Sequence, residues 1–198
     1  MKRLIVPSLL WIALSCAAAT PAFATTIVAQ TVEEMTAAAS LVVLGSVVET
    51  RSELVDGSII TLTTIETVST WGPNAPAASV VVITPGGRVG DIATRVAGAE
   101  TWAVGERVLV FLQDAGGGQY RSMALAFSKF TVRAGESGDV ALREADGEMF
   151  LLGPDGNPTQ VNAPDYPAVM PLPVLLQLIE ESTVAPTSAP TSAPTNAP

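Results

Sequence analysis

Three short runs of uninterrupted apolar residues constrain this chain more than any other feature: Leu41-Val42-Val43-Leu44, Val80-Val81-Val82-Ile83 and Val108-Leu109-Val110-Phe111-Leu112. Each is too short for a helix of its own and is bounded by turn-forming residues, so each reads as a strand covered on both faces. The third is entered through Gly105-Glu106-Arg107 and left through Asp114 and Gly116-Gly117-Gly118. Three such strands find cover within one domain only if the sheet curls on itself or helices pack against it. A small barrel or sandwich follows.

The remaining segments fit around these runs. Thr31-Val32-Glu33-Glu34 has the form of a capping box and predicts a short helix over 32–40. A strand over 41–50 carries Gly45, which marks a bulge or a sharp bend. Asp56-Gly57 is the strongest hairpin signal in the sequence, and the β-branched run that follows predicts a strand over 58–71. One face of it carries Thr61, Thr63, Thr67 and Ser69, the other Ile60, Leu62 and Val68. Such a threonine row reads as a half-exposed strand face, with an ordered surface or a glycan as the functional alternative.

The third strand, 79–84, stops at Pro85-Gly86-Gly87. Residues 88–104 then show no period, and a loop of that length in a small domain is where a binding function is expected. The Gly116-Gly117-Gly118 turn leads to a fifth strand over 119–128 that continues through Lys129-Phe130-Thr131-Val132-Arg133. A short strand at 140–143, proline-marked irregular chain and a closing helix over 173–181 complete the domain.

The two ends have a different character. Lys2-Arg3, the apolar run 4–14 and the small residues around Ala22-Phe23-Ala24 form a secretory leader, with cleavage expected after Ala24. Its apolar run falls short of the roughly 20 residues that span a bilayer. Cys16, the single cysteine, lies inside this leader. Lipidation there is disfavoured because Ala13 and Leu14 do not match the residues that usually precede a lipid-bearing cysteine. Beyond Thr183 an Ala-Pro-Thr-Ser repeat offers nothing to build a core, so a disordered tail is expected over 182–198.

Composition excludes several chemistries. The chain has no histidine, so the usual general base, zinc ligand and near-neutral pH switch are all missing. Without Cys16 there is no thiolate and no disulfide. Loss of the leader makes the formal charge two units more negative than the −9 of the whole chain, which repels nucleic acid and anionic lipid. Ser128 and Lys129 are neighbours on a strand, point to opposite faces and so do not form a catalytic dyad. Pro85-Gly86-Gly87-Arg88-Val89-Gly90 lacks the lysine and serine of a phosphate loop. Asp146-Gly147-Glu148 and Asp155-Gly156-Asn157 could offer oxygens to calcium but lack a full loop pattern. Most acids sit at turns. Glu100 and Glu106, which flank Trp102, are the least turn-like.

In order, the segments 41–47, 61–68, 85–90, 96–98, 105–112 and 129–132 resemble a group of exported, uncharacterised β-rich bacterial proteins. More distantly, a strand opening into a glycine, a threonine-rich second strand and a later Gly-Glu-Arg strand are similar to netrin-like, tissue-inhibitor-of-metalloproteinase modules. That likeness implies an oligonucleotide-binding-type barrel and a binding or inhibitory role. Those inhibitors use an N-terminal cysteine and disulfides, which this chain lacks once cleaved, so their mechanism does not carry over.

The resulting expectation is an exported, periplasmic or extracellular, mainly β protein: leader 1–24, one domain over 25–181, tail 182–198. The domain is a small antiparallel barrel of five or six strands, OB-like, with a short helix at each end. Its expected function is a non-catalytic binding or interaction module for an extracytoplasmic protein or a glycan. Arg88, Arg95, Glu100, Trp102 and Glu106 are the candidate binding residues. No cofactor, metal, nucleic acid or stable membrane insertion is implied. The rival readings are a carboxylate-based hydrolase and a structural envelope component acting through its tail.

Overall fold

The computed structural model describes residues 25–73, 78–143, 149–159 and 165–184. The leader, the Asp146-Gly147-Glu148 segment and the repeat beyond residue 184 lie outside them.

The strands run in chain order as β1 (Thr25–Val28), β2 (Leu41–Val55), β3 (Ser58–Trp71), β4 (Ser79–Pro85), β5 (Gly87–Val89), β6 (Ile92–Thr94), β7 (Arg107–Gly116), β8 (Gln119–Ala126), β9 (Lys129–Gly135), β10 (Gly138–Arg143), β11 (Met149–Leu152), β12 (Pro158–Thr159) and β13 (Val169–Pro171). Helix α1 (Val32–Ala38) lies between β1 and β2, and α2 (Leu172–Val184) closes the domain. Among the described residues the protein is mainly β with two short helices. Among the described residues no helix is long and apolar enough to cross a membrane.

The principal sheet has the order β13-β10-β9-β7-β2-β3-β4-β8, and β8 pairs back onto β7. The strands β7-β2-β3-β4-β8 therefore form a ring of five. The expected antiparallel pairing holds around most of it, but β4 and β8 meet in parallel through Val81↔Gln119 and Val82↔Tyr120. A second parallel pair, β1 with β11, was not foreseen either.

The apolar runs of β2 and β7 are covered on both faces as expected, whereas on β4 Val80 and Val82 are buried and Val81 and Ile83 only half-buried. Alternate residues of β2 and β7 enter two different clusters. Leu41, Val43, Val108, Val110 and Leu112 join Val47, Ile65, Val80 and Val82 in one. Val42, Leu44, Leu109 and Phe111 join Phe127, Phe130, Met35, Leu175 and Ile179 in the other. The helices supply the second cluster's cover, so neither face of β2 over Leu41–Leu44 or of β7 over Val108–Leu112 meets water, and an unbroken apolar run is the consequence. Helix α1 starts where the capping box places it: Glu34 N donates to Thr31 Oγ1 at 3.2 Å, and Thr31 N donates to Glu34 Oε2 at 2.9 Å.

Two structural breaks shape the ring. The β2–β3 register shifts between Leu44 and Gly45 and again between Val47 and Glu49. Gly45 leaves room there for the Glu66 carbonyl and Ile65 Cγ2; a Cβ would lie 2.7 Å from the latter. Val68 and Val48, skipped by the pairing, are 71% and 46% exposed. The long fifth strand is also interrupted. Leu125 has φ 49°, and Ser128 Oγ accepts from Ala124 N while donating to Leu125 O. This kink lets one edge of β7 pair with both pieces: Leu112 to Gly116 with β8, and Arg107 to Val110 with β9. It frees β8 to reach β4 and close the ring.

Candidate binding site

The site begins at the end of β4. Gly86 and Gly87 have φ of 92° and 131°, which only glycine adopts without strain, and they turn the chain into the β5–β6 hairpin. Gly87 lies against the Ser52 and Thr61 hydroxyls, so no side chain fits there. Thr61 Oγ1 donates to Gly86 O at 2.8 Å, and Arg88 N donates to Ser52 Oγ at 3.3 Å. The hairpin is thereby laid against β2 and β3.

Residues 95–106 then return across one end of the ring, pinned at several points. Ala126 N donates to Gly98 O at 3.0 Å, Gly105 N to Val47 O at 2.8 Å, and Val47 N to Glu106 O at 2.9 Å. Trp102 Nε1 donates to Thr84 Oγ1 at 2.9 Å. The stretch without period thus contains the short extended pieces β5 and β6, and its later part, a plug, is tied to the ring at Gly98, Trp102, Gly105 and Glu106.

Beneath the plug is a buried ion pair. Lys129 Nζ lies 2.8 Å from Glu106 Oε1, and it also donates to Thr101 O at 2.6 Å. It sits 4.9 Å over the Trp102 ring. Glu106 accepts further from Thr131 Oγ1 at 2.5 Å and from Ala103 N at 3.2 Å. Burial pushes the Glu106 carboxyl up, but the Lys129 and Thr131 hydrogen bonds and the lysine charge outweigh it and hold it below the usual carboxylate range.

Glu100 has the opposite environment. It is 6% exposed, and its Oε2 has no hydrogen-bond partner. Burial pushes this carboxyl up; Ser122, Thr84 and Lys129 lower it by less. Thr63 Oγ1 and Ser122 Oγ are likewise buried without partners. The threonine row is therefore not a half-exposed wall throughout: Thr63 is fully buried, beside Ile65 of the inner cluster.

Beside Glu100 opens a cavity of about 420 Å³, lined by Thr50, Thr61 and Thr84 from the ring, Gly86 and Gly87 from the turn, and Thr94 to Val96 and Gly98 to Trp102 from the plug. Its volume is in the range of small-ligand sites, and the mouth of a closed sheet is a common place for one. Of the candidates named from sequence, Arg95, Glu100 and Trp102 line it. Glu106 lies behind, holding Lys129. Arg88 is exposed on β5 and is not part of the lining.

Sequence reasoning missed Thr84, Ser122 and Lys129 as members of the site. Lys129 carried a signal, because a lysine between Ser128 and Phe130 in an otherwise apolar stretch needs a buried counter-charge. Ser128 and Lys129 do face apart: the serine is bonded to Ala124 and Leu125, the lysine to Glu106. Among the described residues no group of three or more Asp, Glu, His or Cys is placed to hold a metal. No protein-family model, curated protein or solved structure matches the chain.

Proposed function

We propose that the protein is an exported, non-catalytic binding module that takes part of an extracytoplasmic partner into the cavity at the plugged end of its ring. The observation that carries this reading is the cavity itself. A pinned loop carries Glu100, which lines the cavity and whose buried Oε2 the protein leaves unpartnered, although buried polar groups are ordinarily paired.

The finer fold reading supports it. The ring order β2-β3-β4-β8-β7, with parallel β4 and β8 closing it, fits an OB-like barrel. Folds of that kind bind ligands on the face and loops at one side of the barrel. Export rests on the leader-like pattern of residues 1–24, and the likeness to netrin-like modules agrees with a binding role.

A hydrolase built on Glu100 and Glu106 would need both acids on one cavity wall. Glu106 is instead committed to Lys129, Thr131 and Ala103, and only Glu100 lines the cavity.

The test uses the full chain and a Thr94→Trp variant, which fills the cavity from an exposed position, as baits for extracytoplasmic extract. A partner retained by the natural chain and lost by T94W supports the reading. A partner held equally by both, or none from either folded bait, overturns it.

A further inference from the structure

The cavity has a chemical preference written into its lining, and the inference drawn from it rests on the binding reading above. Glu100, which lines it, has a buried Oε2 without a partner, and Thr61 and Thr84 line it too. Ser122 and Thr84 both lie close enough to Glu100 to affect its carboxyl. A carboxyl flanked by acceptor-capable hydroxyls matches a group rich in hydrogen-bond donors. An ammonium has three donors and no acceptor, and a guanidinium has five.

Charge selects the same class of ligand. The one buried cation nearby, Lys129, is already engaged by both oxygens of Glu106 and by Thr101 O. An ionised Glu100 is consequently left without a dedicated counter-ion, in a site that burial has partly dehydrated. Arg95 stands at the exposed rim and has an interaction of its own. The whole chain carries −9, which draws basic partners and repels acidic ones. A sugar is less well served. Among the described residues Trp102 is the one aromatic side chain in the lining, and Lys129 already stands over its ring.

We infer that the cavity receives a basic side chain, lysine or arginine, projecting from a partner protein, with its charged head held by the Glu100 carboxylate and the Thr84 hydroxyl. Binding draws the Glu100 carboxyl into its ionised form and releases its proton to solvent. The groups that face Glu100 while this happens are Lys129 of β9, Ser122 of β8, Thr84 of β4 and Trp102 of the plug. Of these only Lys129 is charged, and Glu106 neutralises it.

The probes are Nα-acetyl-lysine methylamide, its neutral isostere Nα-acetyl-norleucine methylamide, and N-acetylglucosamine. They are titrated into the full chain while the Trp102 indole N–H is followed by NMR, its resonance assigned through Trp102→Phe. The lysine probe is expected to shift it saturably, and the norleucine probe is not. Affinity should fall as pH is lowered through the raised carboxyl value of Glu100, approaching about tenfold per pH unit below it. Glu100→Gln, which keeps shape and hydrogen-bonding capacity, should weaken lysine binding at least about tenfold, the scale of one lost charge-assisted contact.

Equal binding of lysine and norleucine probes, or undiminished lysine binding by E100Q, overturns the inference. Saturation by the sugar without saturation by lysine also overturns it while leaving a binding cavity in place. If T94W also captures the same partner as the natural chain, both readings fall together.

Discussion

Lys129 and Glu106, far apart along the chain, meet at 2.8 Å beneath the loop that covers one end of the ring, with side-chain exposures of 5% and 13%. The pair joins β9 to the foot of the plug, and through Thr101 O and the Trp102 ring it holds the cavity roof in place. Removing Lys129 leaves the partly buried Glu106 carboxylate without its counter-charge. Lys129→Met should therefore destabilise the protein by about 1–3 kcal/mol, and the double variant K129M/E106Q should recover much of the loss. Urea denaturation of the three proteins measures both. Because Glu106 is held below its ordinary value, its contribution is present above the usual carboxylate range and fades as pH falls through that range and below it.

Glu100 has the opposite sign. Its folded-state carboxyl is raised by burial, so the folded protein holds this proton more tightly than the unfolded chain. Any stability from that preference is present at acid pH and is lost as pH rises from the ordinary carboxylate range through the raised value. Glu100→Gln cannot ionise. Its melting temperature relative to the natural chain should climb as pH is raised from about 4 to about 8, flattening once Glu100 is ionised in both states. A difference independent of pH would refute the assignment.

Arg143 is a third buried charge. It is 5% exposed at the end of β10, its Nε and Nη1 have no partner, and its guanidinium carbon lies 3.9 Å from the Phe127 ring centroid and 4.6 Å from that of Phe130. Burial pulls its pKa down to about 10. Stacking on two rings offsets part of the desolvation, but the unmet donors remain. Arg143→Met retains the packing and removes the charge, and it should raise unfolding stability by about 1–3 kcal/mol in urea denaturation.

Gly45 tests the bulged strand. A Cβ there would collide with the Glu66 carbonyl and with Ile65 Cγ2 inside the closed ring. Gly45→Ala should cost about 2–3 kcal/mol. Gly57→Ala, in the hairpin turn at φ 78° with nothing near the added atom, should cost about 1 kcal/mol from backbone strain alone. Gly45 does not have a positive φ, so its cost reports the steric clash, whereas that of Gly57 reports backbone strain.

Much of the ring was legible in the sequence because its strongest signals are local. Leu41 to Leu44 and Val108 to Leu112 declare strands covered on both faces, Asp56-Gly57 declares the hairpin, and Thr31 to Glu34 declares the helix start. What escaped detection depends on distant partners. Nothing local says that β8 meets β4 in parallel, or that β1 pairs with β11. The threonine row reads as a half-exposed wall because threonine suits such a surface; it is closure of the ring that encloses Thr63. At the site, Glu100, Trp102 and Arg95 stood out within a loop without period, whereas Arg88 stood out equally and belongs to a neighbouring hairpin.

The sequence by itself determined the strand-rich class, the capped first helix, the glycine positions and the absence of histidine chemistry, because each follows from a residue's own backbone preferences or from what side chains are present. The tertiary structure alone decided that Glu106 meets Lys129 and is held ionised while Glu100, six residues earlier, is buried without such a partner. The two acids share one residue type and adjoining stretches of chain. What separates them is which side chains β8 and β9 carry to each after the kink at Leu125 closes the ring, and a carboxyl's charge depends on those neighbours and on its access to water.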